Sequence, residues 1–222
     1  MGRRITQVKL IMTILIVAAT AFEVAPIRKL LNETNASNDI YFLISGVGAV
    51  PTCFHLSQYL LKNPVDLVIN AGIAGAFDTN LYPIGTVVEV ERDRFADLGA
   101  EFADGHFEDV FEMGLENPNK FYQDGWLINR RCGDKLQQVS SLTLNKVTGQ
   151  LDAANILKEK YEAALETMEG AAVAFTCLQL NIPFHQIRAV SNKIEDRNKE
   201  NWNIPLAIKT LNNHLKEIIF QK

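Results

Sequence analysis

The sequence predicts an α/β fold, a β-sheet flanked by helices, formed as one domain over 222 residues. Three observations predict it. Apolar runs rich in β-branched residues recur along the chain, and segments of helical periodicity lie between several of them. A long amphipathic helix closes the sequence. No Pro/Gly/Ser linker, internal repeat or low-complexity tract divides the chain.

In order, the first run is Leu10 to Ala19. Preceded by Met1-Gly2-Arg3-Arg4 and followed by Thr20-Ala21, it imitates a signal peptide. The rival reading is a buried first strand of a parallel sheet. The strand is favoured, because cleavage after Ala21 would leave the rest of the fold without it. Met12 is an alternative start, which would make residues 1 to 11 an N-terminal extension. Further strands are expected at Ile40 to Ser45, Leu67 to Asn70, Thr86 to Val90, Val139 to Leu144 and Phe184 to Ser191. Helices are expected at Val24 to Leu31, Thr52 to Leu61, Leu151 to Tyr161 and Glu169 to Leu180. In the last helix Asn203 caps, Pro205 stands in the first turn, and Ile204, Ile208, Leu211, Leu215 and Ile218 form one face.

Composition narrows the function. Apolar residues make up 47% and charged residues 22%, as in ordinary globular proteins. A net charge of −4 without a Lys/Arg stripe argues against a nucleic-acid partner. The longest apolar run is too short to span a bilayer, so no membrane partner is expected. Cys53, Cys132 and Cys177 lack paired spacing, pointing to a reducing compartment and to small buried side chains. The four histidines lack ligand spacing, so no metal is expected.

Three motifs stand at predicted strand ends, where open α/β sheets bind ligands. The run Asn70-Ala71-Gly72-Ile73-Ala74-Gly75-Ala76 is read as small residues after a strand, where bare backbone approaches a ligand. Ser45-Gly46-Val47-Gly48 is similar. Tight packing explains most such glycines equally well. Met168-Glu169-Gly170-Ala171-Ala172 opens a helix with a carboxylate, and Arg188-Ala189-Val190-Ser191-Asn192 closes a strand with an amide. Glu23, near a helix start, reads either as a charge favoured by the helix dipole or as a general base. One cleft could collect them all.

Together these residues resemble the nucleoside phosphorylase and nucleosidase superfamily. That pattern is a strand followed by Asn/Arg-x-Gly-x-Ala/Cys-Gly, later Met-Glu with small residues, later Ser-Asp or Ser-Asn at a strand end. All three pieces occur here in order, over nearly the whole chain. The runs Arg94 to Glu101, Arg188 to Asn192 and Arg197 to Pro205 resemble futalosine hydrolases of menaquinone biosynthesis within it. The methylthioadenosine/adenosylhomocysteine nucleosidases are the neighbouring group.

The resemblance implies a three-layer α/β/α domain with a twisted mixed sheet, in a cytoplasmic homodimer or higher homo-oligomer. It implies a purine nucleoside and water as partners and no cofactor. Glu23 would activate water, and Glu169 would hold the ribose hydroxyls and face the cationic sugar of the transition state. Met168 would pack on the sugar and Asn192 would address the purine N7 and six-substituent. Gly72, Ile73, Ala74, Gly75, Phe95, Thr148 and Gly149 would complete the substrate site. Adenine-directed nucleosidases carry Asp where Asn192 stands. An amide offers one donor and one acceptor together, which suits a 6-oxopurine. Bacterial phosphorylases place Arg at position 70 and Ser at 73, where this chain has Asn70 and Ile73, so water is the favoured nucleophile over phosphate. Alternatives are another purine nucleosidase, a phosphorylase, or a non-catalytic nucleoside-binding protein. Arg92 and Arg94 read first as solvated surface residues, with a substrate carboxylate as the other reading.

Overall fold

The computed structural model describes residues 12–34, 39–133 and 135–220. Ten strands are β1 (Thr13–Ala18), β2 (Asp39–Ile44), β3 (Leu67–Ala76), β4 (Val87–Phe95), β5 (Gly99–Glu101), β6 (Phe107–Asp109), β7 (Leu127–Ile128), β8 (Gln138–Thr143), β9 (Leu165–Thr167) and β10 (Phe184–Lys193). Five helices are α1 (Ala21–Glu33), α2 (Ala49–Leu60), α3 (Leu151–Tyr161), α4 (Gly170–Gln179) and α5 (Ile204–Phe220). Residues 10 and 11 of the first predicted strand, and the rest of the possible extension, lie outside the described residues.

The main sheet is mixed. Its order is β10-β4-β8-β9-β3-β1-β2, with β10 also pairing β3, so five strands close into a ring from which β1 and β2 extend. Strand β1 is parallel to both β2 and β3 and buried on both faces, which is why its sequence is continuously apolar. Ile14 and Ile16 point into a core with Val24 and Ile27 of α1 and Leu211, Leu215 and Ile219 of α5. Leu15 and Val17, one residue out of phase, point into the opposite core with Leu56 of α2 and Val173 and Cys177 of α4. Helices therefore cover both faces of the sheet, as the predicted three layers require.

Strands β3 and β4 run well past the ends that the sequence suggests, and β10 by two residues to Lys193. Strand β3 does not end at Asn70 but continues through the small residues to Ala76, because β10 stays paired with it along that length. Beyond Asn70 it loses β1, and at Gly75 and Ala76 it gains β9. Between those points one edge of β3 is unclaimed by a strand. Strand β4 likewise reaches Phe95, held by β7 and β8.

Helix α5 buries the expected face through Leu211 and Leu215, but that face is rotated at both ends. Ala207, Leu211, Leu215 and Ile219 are buried, whereas Ile204 is exposed and Ile218 only half-buried. Asn203 does cap it, accepting from the backbone N–H of Leu206. Asn212, buried on the same helix, accepts from the N–H of Ile27 and donates to the carbonyl of Glu23. These are a donor and acceptor four residues apart in α1, around Pro26, so a side chain inserts into the helix ladder there. Of the cysteines only Cys177 is fully buried; Cys53 and Cys132 are half-buried.

Candidate active site

A cleft of about 520 Å³ opens where β1 and β9 part along β3. Its walls include Thr20 and Glu23 from the start of α1, Ile73, Ala74 and Gly75 from β3, and Glu166, Met168 and Glu169 from β9 and the turn after it. Ser191 and Asn192 close it from β10. Trp202, Ile204 and Ile208 cover one side, which accounts for the exposure of Ile204 on a helix whose other apolar face is buried.

Glu23 is 8% exposed and held at both oxygens. Oε1 accepts from the N–H of Ile73 at 3.1 Å, on the unclaimed edge of β3. Oε2 accepts from the backbone N–H of Thr20 at 2.9 Å and its hydroxyl at 3.0 Å, in a capping box. The carboxylate therefore caps α1 and also lines the cleft.

Glu169 is the residue before α4 and 9% exposed. Its Oε1 accepts from the N–H of Gly48 at 2.8 Å, so the loop after β2 does bring a bare N–H to a polar oxygen, here a carboxylate of the protein itself. Gly48 adopts φ of +96°, which favours glycine. Burial pushes the Glu169 carboxyl up, opposed by the Gly48 hydrogen bond and the Arg188 charge and reinforced by Glu23.

Asn192 is 5% exposed. Its carbonyl accepts from the Ser191 hydroxyl at 2.7 Å and its amide donates to the carbonyl of Lys193 at 3.0 Å. An amide has two donor hydrogens and two acceptor lone pairs. One of each is left for a ligand.

Arg188, four residues before Asn192 on β10, also reaches the site. It is 2% exposed, and its Nε and Nη2 find no hydrogen-bond partner among the described residues. Burial pushes its pKa down while the charges of Glu169, Glu23 and Asp93 hold it up. The signal was legible as an arginine in the middle of a strand otherwise built for burial. A guanidinium there balances three carboxylates, Glu169, Glu23 and Asp93.

The phosphorylase superfamily model matches residues 13–219. The chain belongs to the phosphorylase superfamily. Among curated members, the futalosine hydrolase of Streptomyces coelicolor is 34% identical over 67% of this chain and 63% of its own length. The futalosine hydrolase of Thermus thermophilus is 30% identical over 82% of this chain and 81% of its own. The crystal structure of 5′-methylthioadenosine/S-adenosylhomocysteine nucleosidase from Neisseria meningitidis, in complex with methylthio-immucillin-A, shares the fold. Its TM-score is 0.77 at 19% identity, covering 94% of this chain and 99% of that one.

Not every expected residue of this phosphorylase-superfamily chain lines the cleft. Gly72 lies beneath Arg188 and Glu23: a Cβ there would stand 2.1 Å from Arg188 Nη1 and 2.9 Å from Glu23 Oε1. It permits the site rather than touching its open space. Phe95 packs against the core beside α4, drawn inward by the extension of β4. Thr148 is buried and spends its N–H on Glu166 Oε1 at 2.8 Å. Gly149 backs onto Arg197, whose N–H bonds its carbonyl. Arg94 is not a solvated surface residue. It is buried, ion-paired with Asp109 of β6 and packed over Tyr161 and Trp126. Arg92 lies over Trp126, and neither arginine reaches the cleft.

A larger hollow of about 790 Å³ is lined by Leu81, Tyr82, Glu91, Ser140, Lys158 and Glu162, among others. It contains none of the residues singled out from sequence. No helix among the described residues is long and apolar enough to cross a membrane.

Proposed function

We propose that this chain is a futalosine hydrolase, cleaving the N-glycosidic bond of futalosine to hypoxanthine and dehypoxanthine futalosine in menaquinone biosynthesis. The observation that carries the proposal is the collection of Glu23, Met168, Glu169 and Asn192 around one cleft. Kinship to futalosine hydrolases at 34% and 30% identity supports the substrate. The protein acts as a single-domain cytoplasmic homo-oligomer.

In this mechanism water attacks C1′ as the bond to N9 breaks, and the departing electron pair enters the purine. Glu23 takes the proton from water, placed by its bonds to Ile73 and Thr20. Glu169 keeps one oxygen for the ribose hydroxyls while its other holds Gly48. Its charge favours the oxocarbenium-like sugar. Arg188 supplies unpartnered donors beside both carboxylates and orients the water between them. The purine anion takes a proton from solvent at N7; the free donor of Asn192 meets its 6-oxo oxygen and the free acceptor meets the N7–H so formed.

One observation favours phosphorolysis: a buried arginine with unpartnered donors suits a phosphate. The two carboxylates beside it repel one, which tips the balance to water. Hypoxanthine release from futalosine and from inosine, measured with and without phosphate, tests this. Release from futalosine that is indifferent to phosphate is expected. Dependence on phosphate makes the protein a phosphorylase, and no release from either substrate removes the assignment.

A further inference from the structure

Glu166 has no part in the mechanism above, yet it lines the same cleft. It is 6% exposed; Oε1 accepts from the N–H of Thr148, and Oε2 is buried without a partner. A buried carboxylate oxygen left without a donor is costly, and burial accordingly pushes the Glu166 carboxyl up. Such an oxygen facing a ligand cleft calls for a donor on the ligand.

Strand register says where on the ligand that donor lies. Gly75 pairs with Glu166 of β9 on one side and with Asn192 of β10 on the other. Cross-strand partners send their side chains to the same face of a sheet, and each strand spacing is about 4.8 Å. Glu166 and Asn192 therefore flank Gly75 at one level, roughly two strand spacings apart. Gly75 has no side chain between them. A Cβ there would stand 2.8 Å from Ile194 Cγ1 and 3.2 Å from Asn192 Nδ2. Ile194 therefore packs over the glycine beside the Asn192 amide, and the Glu166 acceptor stands across β3 from them.

Resting on the assignment of Asn192 to N7 and the six-substituent, we infer that Glu166 reads the next position of the ring, accepting from N1–H of a 6-oxopurine. Hypoxanthine carries a proton on N1, whereas adenine presents a lone pair there, which an ionised carboxylate repels. Glu166 is thus a second specificity-determining residue, and the two side chains bracket the oxygen-bearing edge. The Thr148 N–H makes the reading testable. In Glu166→Gln the amide oxygen stays on Thr148, so the NH₂ turns to the base. That donor opposes N1–H and suits the N1 lone pair of adenine.

Calorimetric binding of the free bases separates this inference from turnover. The wild-type protein is expected to bind hypoxanthine at least about tenfold more tightly than adenine, and Glu166→Gln to erase or reverse that preference. A second measurement needs no variant: 1-methylhypoxanthine, lacking the N1 proton, should bind the wild type at least about tenfold more weakly than hypoxanthine. Equal binding of the methylated base, or an unchanged preference in a folded Glu166→Gln, overturns the role of Glu166 and leaves the hydrolase assignment standing. A wild-type preference for adenine overturns both.

Discussion

Arg188 and Gly72 face each other in register across β10 and β3, and the guanidinium fills the space that any side chain at position 72 would need. A Cβ at Gly72 would stand 2.1 Å from Nη1. Gly72→Ala must therefore displace Arg188, and with it the charge between Glu23 and Glu169. The expected outcome is a loss of kcat of at least about tenfold, since small displacements of positioning groups cost up to about 10²-fold. Wild-type kcat in a folded Gly72→Ala protein would separate Arg188 from turnover.

Glu23→Gln should lower kcat by about 10²- to 10⁴-fold, as loss of a general base does. It should also lower the melting temperature, because both carboxylate oxygens accept backbone N–H groups and an amide has only one oxygen to offer. Activity within tenfold of wild type removes Glu23 as the base.

Asn212 supports Glu23 from behind, joining α5 to the first turns of α1. Asn212→Ala leaves a buried N–H and carbonyl without this partner, at a cost of about 1–3 kcal/mol. Chemical denaturation should report that loss in full. A variant as stable as wild type would mean that the two groups of α1 satisfy each other.

Much of this was legible in the sequence, and the failures have physical reasons. Helix α3 was bounded correctly at Leu151 and Tyr161 by periodicity alone. Glu169 and Asn192 stand at the end of their elements because motif and burial pattern agree there. Strand β3 was cut short because Gly72 and Gly75 read as loop residues; only the long pairing with β10 makes strand of them. Leu211 and Leu215 hold the expected face of α5, whereas Ile204 and Ile208 are apolar for the cleft rather than the core. The burial of Arg94 and Arg188 is not legible in composition, which does not reveal which arginine is buried. That depends on the β5–β6 hairpin for one and on the centre of the sheet for the other. Glu166 gave no signal at all, since its partner Thr148 and its neighbour Gly75 are set by sheet register.

Asp93 provides a test of stability against pH. Fully buried beneath α4, it is pushed up to about 7, first by desolvation and against hydrogen bonds from Gln186 and Thr143. The unfolded chain releases this proton near pH 4, the folded chain only near 7. Its stabilising contribution is complete below about pH 4 and is lost as pH rises through 7. Asp93→Asn does not titrate, so its melting temperature relative to wild type should rise between pH 5 and pH 8. Parallel curves for the two proteins would contradict the raised value.

Asn192→Asp tests most directly whether this cleft selects a 6-oxopurine nucleoside. The measurement is kcat/KM for futalosine and for its 6-amino analogue on both proteins. A carboxylate at position 192 would oppose the 6-oxo oxygen and accept from a 6-amino group. Each mismatch costs on the order of 1–3 kcal/mol in a dry site, so the preference ratio should move toward the amino substrate by at least about tenfold. An unchanged ratio would mean that the base is read elsewhere, and would contradict the account.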